Sequence, residues 1–308
     1  MTPPRPTTAH LPFSVSRYHR AVLIRFLIGP AFVAALLAPW SARAAPEGSS
    51  APASPPVRVE YRSPKNPAHE ALYNELRSRQ VLERFEEVFS AFRLPRTLTL
   101  AFAGCNGTSN AWYEPADTTV TVCYEYLVEM RALAASKPRG KVPLQDASDG
   151  PALFVMLHES GHAIFDLLKV PILGREEDAA DSFAVFMLLR AGQEVAFRTL
   201  RGAAWSYRTQ AKSRKPDEGD FADIHGLDSQ RFYNIICLAY GSDPKYFAAA
   251  VTEKLLPADR AEGCSDEYHQ LLFAFQKLIL PSLDTEAIQR VLIKHKSDWK
   301  LGDRPSGK

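Results

Sequence analysis

Apolar positions return at helical spacing between about Pro67 and Phe92, where Leu72, Leu76, Leu82, Phe85, Val88, Phe89 and Phe92 mark one face. Leu94-Pro95 then signals a stop. Thr97 to Phe102 alternates apolar and polar with period two, which predicts a strand, and GCNGTSN follows as a turn. Ala111–Tyr113 and Thr118–Cys123 predict a strand pair around Glu114-Pro-Ala-Asp117. Helical spacing returns at Tyr124–Ala135, and Ser136–Gly150 reads as a polar loop. Beyond Gly150 the pattern is helical throughout, in stretches 151–168, 175–191, 193–212, 228–240, 243–253, 265–279 and 284–295. A small β region followed by many helices predicts an α+β fold rather than a doubly wound parallel sheet.

Ahead of this body lies a different pattern. A basic stretch ends at Arg25, an apolar run covers Phe26–Leu37, and Ala42-Arg43-Ala44 offers small residues at a cleavage position. Twelve apolar residues fall short of the roughly 20 that cross a bilayer as a helix. Residues 1–44 are therefore expected to be a signal peptide, leaving no stable membrane insertion once it is cleaved. Residues 45–60 begin with a Pro/Ala/Ser-rich run and are expected to be a linker, with one domain over 61–308.

Charge supports the division. The 308 residues carry 37 Lys+Arg and 35 Asp+Glu, a formal +2, but residues 1–44 hold five basic side chains and no acidic one. The rest holds 32 basic against 35 acidic residues, a net of −3, which gives no general electrostatic reason to bind nucleic acid. An exported chain meets an oxidising compartment, periplasmic or extracellular, and the four cysteines Cys105, Cys123, Cys237 and Cys264 are even in number. The sequence-local pairing, Cys105 with Cys123 and Cys237 with Cys264, is the preferred one of three. A four-cysteine metal site is disfavoured because no C-x-x-C occurs.

Candidate chemistry concentrates in ALFVMLHESGHAIFDLL. His158 and His162 are four apart, so on a helix both imidazoles leave one face and can share a metal ion. Glu159 adjoins the first of them, placed to take a proton from a metal-held water without binding the ion. The residues around them make the helix apolar on nearly every side, so it is buried, and two His and a Glu buried there need partners. A catalytic zinc takes three protein ligands, and Phe165 and Leu168 stand where an extended motif would place a Gly and a third His. Glu177, fifteen residues after His162 in GREEDAADSFAVFMLL, is the candidate third ligand, with Glu176 as its rival. Asp181 shares its helical face and can hold the free ring nitrogen of a liganding His. Lys169–Gly174, with Pro171 and Gly174, would turn the chain back. Glu176 and Asp178 otherwise suit a solvated first turn.

HESGH followed by E-x-x-x-D on the next helix resembles the gluzincin zinc peptidases. The resemblance implies a zincin-like arrangement, with an edge strand over the active-site helix and a mainly helical lobe. It implies His158, His162 and Glu177 as ligands of one zinc ion per chain, Glu159 as general base and Asp181 as partner of a liganding His. NAWYEPADTTVTVCYEYL resembles that group's edge-strand segment, which implies that Asn110, Ala111 and Trp112 bind an extended substrate. Asn110 also suits a turn. An oxyanion donor implied by the group has no fixed spacing here. His225, in a polar loop, is the candidate, with Arg231, Tyr233 and Tyr240 as alternatives. Helical spacing suits the two tyrosines to packing, and His269 and His295 read as surface residues. NAWY, CYE, HESGH, EEDAAD, QRFYNIICLAYGSDP and a late Cys-x-x-Glu-Tyr are together similar to a family of exported bacterial proteins. That family is known chiefly as a domain of unknown function described as metallopeptidases, and the likeness spans about 60–282.

The expected function is an exported zinc-dependent peptidase acting on peptides or proteins. The alternative is a zincin-shaped binding or scaffold protein whose zinc does no chemistry, and a metal-dependent hydrolase of non-peptide amides is a third. A structural zinc would close its fourth position with Cys or His and leave Glu159 without a task.

Overall fold

In the computed structural model, residues 57–284 together with Glu286, Ala287 and Arg290 are described. The signal peptide expected over 1–44, most of the linker, most of the helix expected over 284–295, and His295 lie outside the described residues.

The sheet begins inside the stretch expected as linker. Strand β1 (Arg58–Tyr61) pairs in parallel with β2 (Thr99–Ala103), and β2 pairs in parallel with β4 (Thr119–Cys123). Strand β3 (Ala111–Glu114) pairs antiparallel with β4 and forms the outer edge of the order β1-β2-β4-β3. Every residue of β2 and of β4 is buried. Two covered faces explain why alternation alone understated how far β2 lies in the core.

The helix expected over 67–92 is two helices, α1 (Glu70–Ser78) and α2 (Val81–Phe89), after a short 3-10 turn at Pro67–His69. The break falls at Gln80, whose φ of 49° is left-handed. It frees the start of α2 for a tertiary cap. The Tyr61 hydroxyl of β1 accepts the Leu82 amide at 2.8 Å and donates to Glu83 at 2.6 Å. A cap from a distant strand leaves no periodic trace.

Helix α3 (Tyr124–Ser136) follows β4 directly, and α4 (Leu144–Leu168) runs through the middle of the molecule. The loop expected over 136–150 is shorter than its composition suggested, and Pro151 lies inside α4. The extra turns are held by α6 (Gln193–Ala211). Buried Asp146 accepts from Arg198 at 3.1 Å and from Arg201. A Cβ added at Gly202 would stand 1.8 Å from the Asp146 carbonyl oxygen, so the backbones of α4 and α6 nearly touch. These contacts outweigh the lost hydrogen bond at proline.

Helix α5 (Glu176–Ala191) returns alongside α4. The expected loop makes the reversal: Lys169 (φ 52°) ends α4 in the left-handed region, and Gly174 (φ 111°) uses a conformation that favours glycine. The remaining elements are the short α7 (Glu218–Ala222), α8 (Asp228–Ser242), the single turns α9 (Ala249–Thr252) and α10 (Ala258–Ala261), and α11 (Cys264–Leu278). The helix expected over 243–253 contracts to α9. The architecture is α+β, a four-stranded mixed sheet beside a mainly helical body.

Both disulfides follow the sequence-local pairing. Cys105–Cys123 ties the turn after β2 to the end of β4, and Cys237–Cys264 joins α8 to the start of α11. The cysteines are therefore not metal ligands. Among the described residues no helix is long and apolar enough to cross a membrane.

Candidate metal centre

The burial of α4 on all sides brings polar side chains into the core. His158 is 2% exposed, Glu159 8% and Ser160 fully buried. Ser160 resolves its own hydroxyl by donating to the Met156 carbonyl at 2.7 Å. Gly161 sets the distance to α5, because a Cβ there would stand 3.2 Å from the Phe183 ring and 3.3 Å from the Ala180 Cα. This close approach places the first turns of α5 over the two histidines.

His158, His162 and Glu177 consequently converge. His158 Nε2 lies 3.1 Å from Glu177 Oε2, His162 Nε2 lies 3.3 Å from the same oxygen, and the two Nε2 atoms are 3.3 Å apart. Ligands of a tetrahedral ion at about 2.0–2.1 Å stand about 3.3–3.4 Å from one another. The observed triangle is thus close to one face of such a tetrahedron, and two imidazoles with a carboxylate suit zinc. These residues could hold a metal ion, their ligand atoms all lying within 4.8 Å of one another.

The outer nitrogens are also engaged. His158 Nδ1 is 2.8 Å from Asp181 Oδ1, and His162 Nδ1 is 2.8 Å from Glu176 Oε1. A proton on each Nδ1 leaves each Nε2 lone pair free for an ion. Glu176 is exposed in the first turn of α5, as its position suggests, and from there it also reaches and orients His162; it is not one of the three converging ligand residues. Arg231 of α8 donates to both Asp181 oxygens, at 2.8 and 2.6 Å. Its guanidinium also stacks 4.4 Å from the Tyr207 ring centroid. Arg231, an alternative oxyanion donor on sequence grounds, is committed to Asp181. A signal was available, since an arginine within an apolar helix demands a carboxylate partner.

The charges are strongly coupled in the metal-free chain. Burial opposes a charged His162, but Glu177 and Glu176 outweigh it and raise its pKa to about 9. For Glu177, burial is overcome by hydrogen bonds from His158, His162 and His225, which hold the carboxyl far below its usual range. Asp181 is likewise held down against its burial, by Arg231 and His158. Burial pushes Glu159 upward, with the neighbouring histidines only partly offsetting it.

His225 sits between α7 and α8 beside this cluster. Its Nε2 is 3.0 Å from Glu177 Oε2, and its Nδ1 is 2.9 Å from Asp223 Oδ1. The Arg175 guanidinium holds its carbonyl at 3.2 Å. It touches the shared carboxylate but is not one of the three residues whose ligand atoms converge mutually. The Glu177 hydrogen bond raises its pKa, so both ring nitrogens can carry protons.

Asn110 is exposed, Ala111 partly buried and Trp112 37% exposed, at the start of the edge strand. Asn110 also accepts the Cys123 amide through its carbonyl at 3.0 Å. Tyr113, which the sequence did not single out, fixes this edge to α4 by donating to Asp166 at 2.8 Å, one helical turn beyond His162. Tyr240 packs against the core, whereas Tyr233 is 39% exposed, contrary to the packing role expected for it. His269 is exposed, as expected.

Among known proteins, the sequence model of a family described as "Putative metallopeptidase" matches residues 61–279. No curated protein and no solved structure matches the chain.

Proposed function

The chain belongs to the DUF4344 family, and from that premise we propose that it is an exported zinc-dependent peptidase. The observation that carries this reading is the convergence of His158 Nε2, His162 Nε2 and Glu177 Oε2 into a triangle of zinc-ligand size, with Glu159 buried beside it. Bound there, the ion would supply Lewis acidity, polarising a scissile carbonyl and making a water molecule acidic enough to attack.

The chain's own residues do the rest. Glu159 accepts the proton of the attacking water and returns it to the leaving amine, a role suited by a carboxyl whose pKa burial raises. Asp181, held by Arg231, keeps the His158 proton on Nδ1. His225, oriented by Asp223, keeps its Nε2–H on Glu177 in the metal-free chain and, once an ion occupies that carboxylate oxygen, would offer it to the developing oxyanion. The outer side of β3, with Asn110, Ala111 and Trp112 at its start, is where an extended peptide would add as a further strand. Export is supported by the leader-like residues 1–44 and by two disulfides.

Glu159→Gln tests the reading. Zinc content is expected to stay near wild type, while peptide hydrolysis falls by about 10²–10⁴-fold. Full zinc-dependent hydrolysis in that variant would contradict it. A non-catalytic, fully closed site would need a fourth protein ligand. His225 is the nearest candidate, and His225→Ala should leave zinc binding nearly intact if the site is catalytic.

A further inference from the structure

Beside the metal centre a polar pocket of about 450 Å³ opens between the end of α6 and the start of α8, with His225 and Arg231 in its wall. Its volume is within the range of small-ligand sites, about 300–1,000 Å³. Because His225 Nε2 lies 3.0 Å from Glu177 Oε2, the pocket adjoins the point where a scissile bond would sit.

The charges in that wall fall into pairs, with one left over. Arg214 is paired with Asp220 through both terminal nitrogens. Arg231 is paired with Asp181 through two hydrogen bonds, and His225 is paired with Asp223. The remaining charged group is Asp228, on the first residue of α8 and half-buried. Among the described residues no hydrogen bond or ion pair reaches its carboxylate. It feels the fields of Arg231 and Arg214 without touching either, and burial still outweighs them, raising its pKa. A half-buried carboxylate that lines the pocket without a protein partner is available to pair with a cation that enters it.

We propose that this pocket is a specificity subsite for a cationic side chain of the substrate, with Asp228 as its recognition carboxylate. The proposal rests on the peptidase reading and adds to it the substrate class: peptides carrying lysine or a similar amine next to the cleaved bond. An anionic side chain has no vacant partner there, since both arginines are already engaged by carboxylates.

The test uses the zinc-loaded full protein and one set of labelled peptides in which lysine, Nε-acetyllysine or glutamate is placed in turn at each position. Binding is read by fluorescence anisotropy in Glu159→Gln, and hydrolysis by mass spectrometry in the active protein. At one position lysine should bind about tenfold tighter than acetyllysine. That preference should shrink to within about twofold when Asp228→Asn is added, and return with Asp228→Glu. Equal binding of lysine and acetyllysine, a preference for glutamate, or a lysine preference that survives Asp228→Asn would each overturn the subsite. Hydrolysis without a lysine preference contradicts the subsite and leaves the peptidase reading standing. Lysine-selective, Asp228-dependent binding with no hydrolysis of any peptide does the reverse.

Discussion

At the scale of single residues, the centre is a chain of carboxylates holding two imidazoles. Asp181 fixes His158 and is itself fixed by Arg231, while Glu176 fixes His162. Asp181→Asn keeps the volume but weakens the acceptor for His158 Nδ1. Zinc affinity should fall about 10–100-fold, measured by competition with a chromophoric chelator. Protons compete for the same atoms. In the metal-free protein His162 has a pKa raised to about 9, so near neutral pH an entering ion must displace its proton. Apparent zinc affinity should therefore rise as pH increases toward about 9, and binding near pH 7 should release protons. Calorimetry in buffers of different ionisation heat reads that release. The same raised pKa bears on the stability of the metal-free fold. Its contribution is fully present below the unfolded histidine value of about 6.5 and is lost as pH rises through about 9. Thermal midpoints of chelator-treated protein from pH 6 to 10 should decline over that window.

At the scale of elements, the centre depends on two close helix crossings. Gly161 lets α5 lie against α4, and Gly202 lets α6 do the same from another side. Gly202→Ala would drive a methyl group into the Asp146 carbonyl. Destabilisation of about 1–3 kcal/mol or more is expected, seen as a lower denaturation midpoint, with zinc affinity falling only as far as α4 shifts. From β2 onward the order of strands and long helices, most helix spans and both disulfide pairings were legible in the sequence, because periodicity and cysteine spacing are local signals, whereas β1 was hidden in the stretch expected as linker. What was not legible came from afar. The break at Gln80 is capped by Tyr61 of β1, and the first turns of α4 are anchored by Arg198 and Arg201. The converging residues were legible through the spacings H-x-x-x-H and E-x-x-x-D, each of which fixes a helix face. Glu176 was not, because nothing in the sequence tells which of two adjacent first-turn glutamates turns inward and which reaches a ring nitrogen.

At the scale of the whole molecule, a buried central helix with ionisable groups is set between an edge strand and a charged pocket. The disulfide between Cys105 and Cys123, with a sequence separation of 18, anchors the sheet side of that frame. Its removal by Cys105→Ser should cost about 3 kcal/mol by loop entropy, and a thermal midpoint that falls under mild reductant checks the same point in the native protein. On the proposed function, His158, His162 and Glu177 bind one metal ion and the rest of the architecture serves that site. The most direct test is elemental analysis of the purified protein after mild dialysis, wild type beside Glu177→Ala. One zinc ion per wild-type chain, lost or weakened in the variant, is the predicted result. A folded wild type that takes up no zinc even when it is supplied, or a variant that holds it as firmly, would mean that His158, His162 and Glu177 do not hold zinc together.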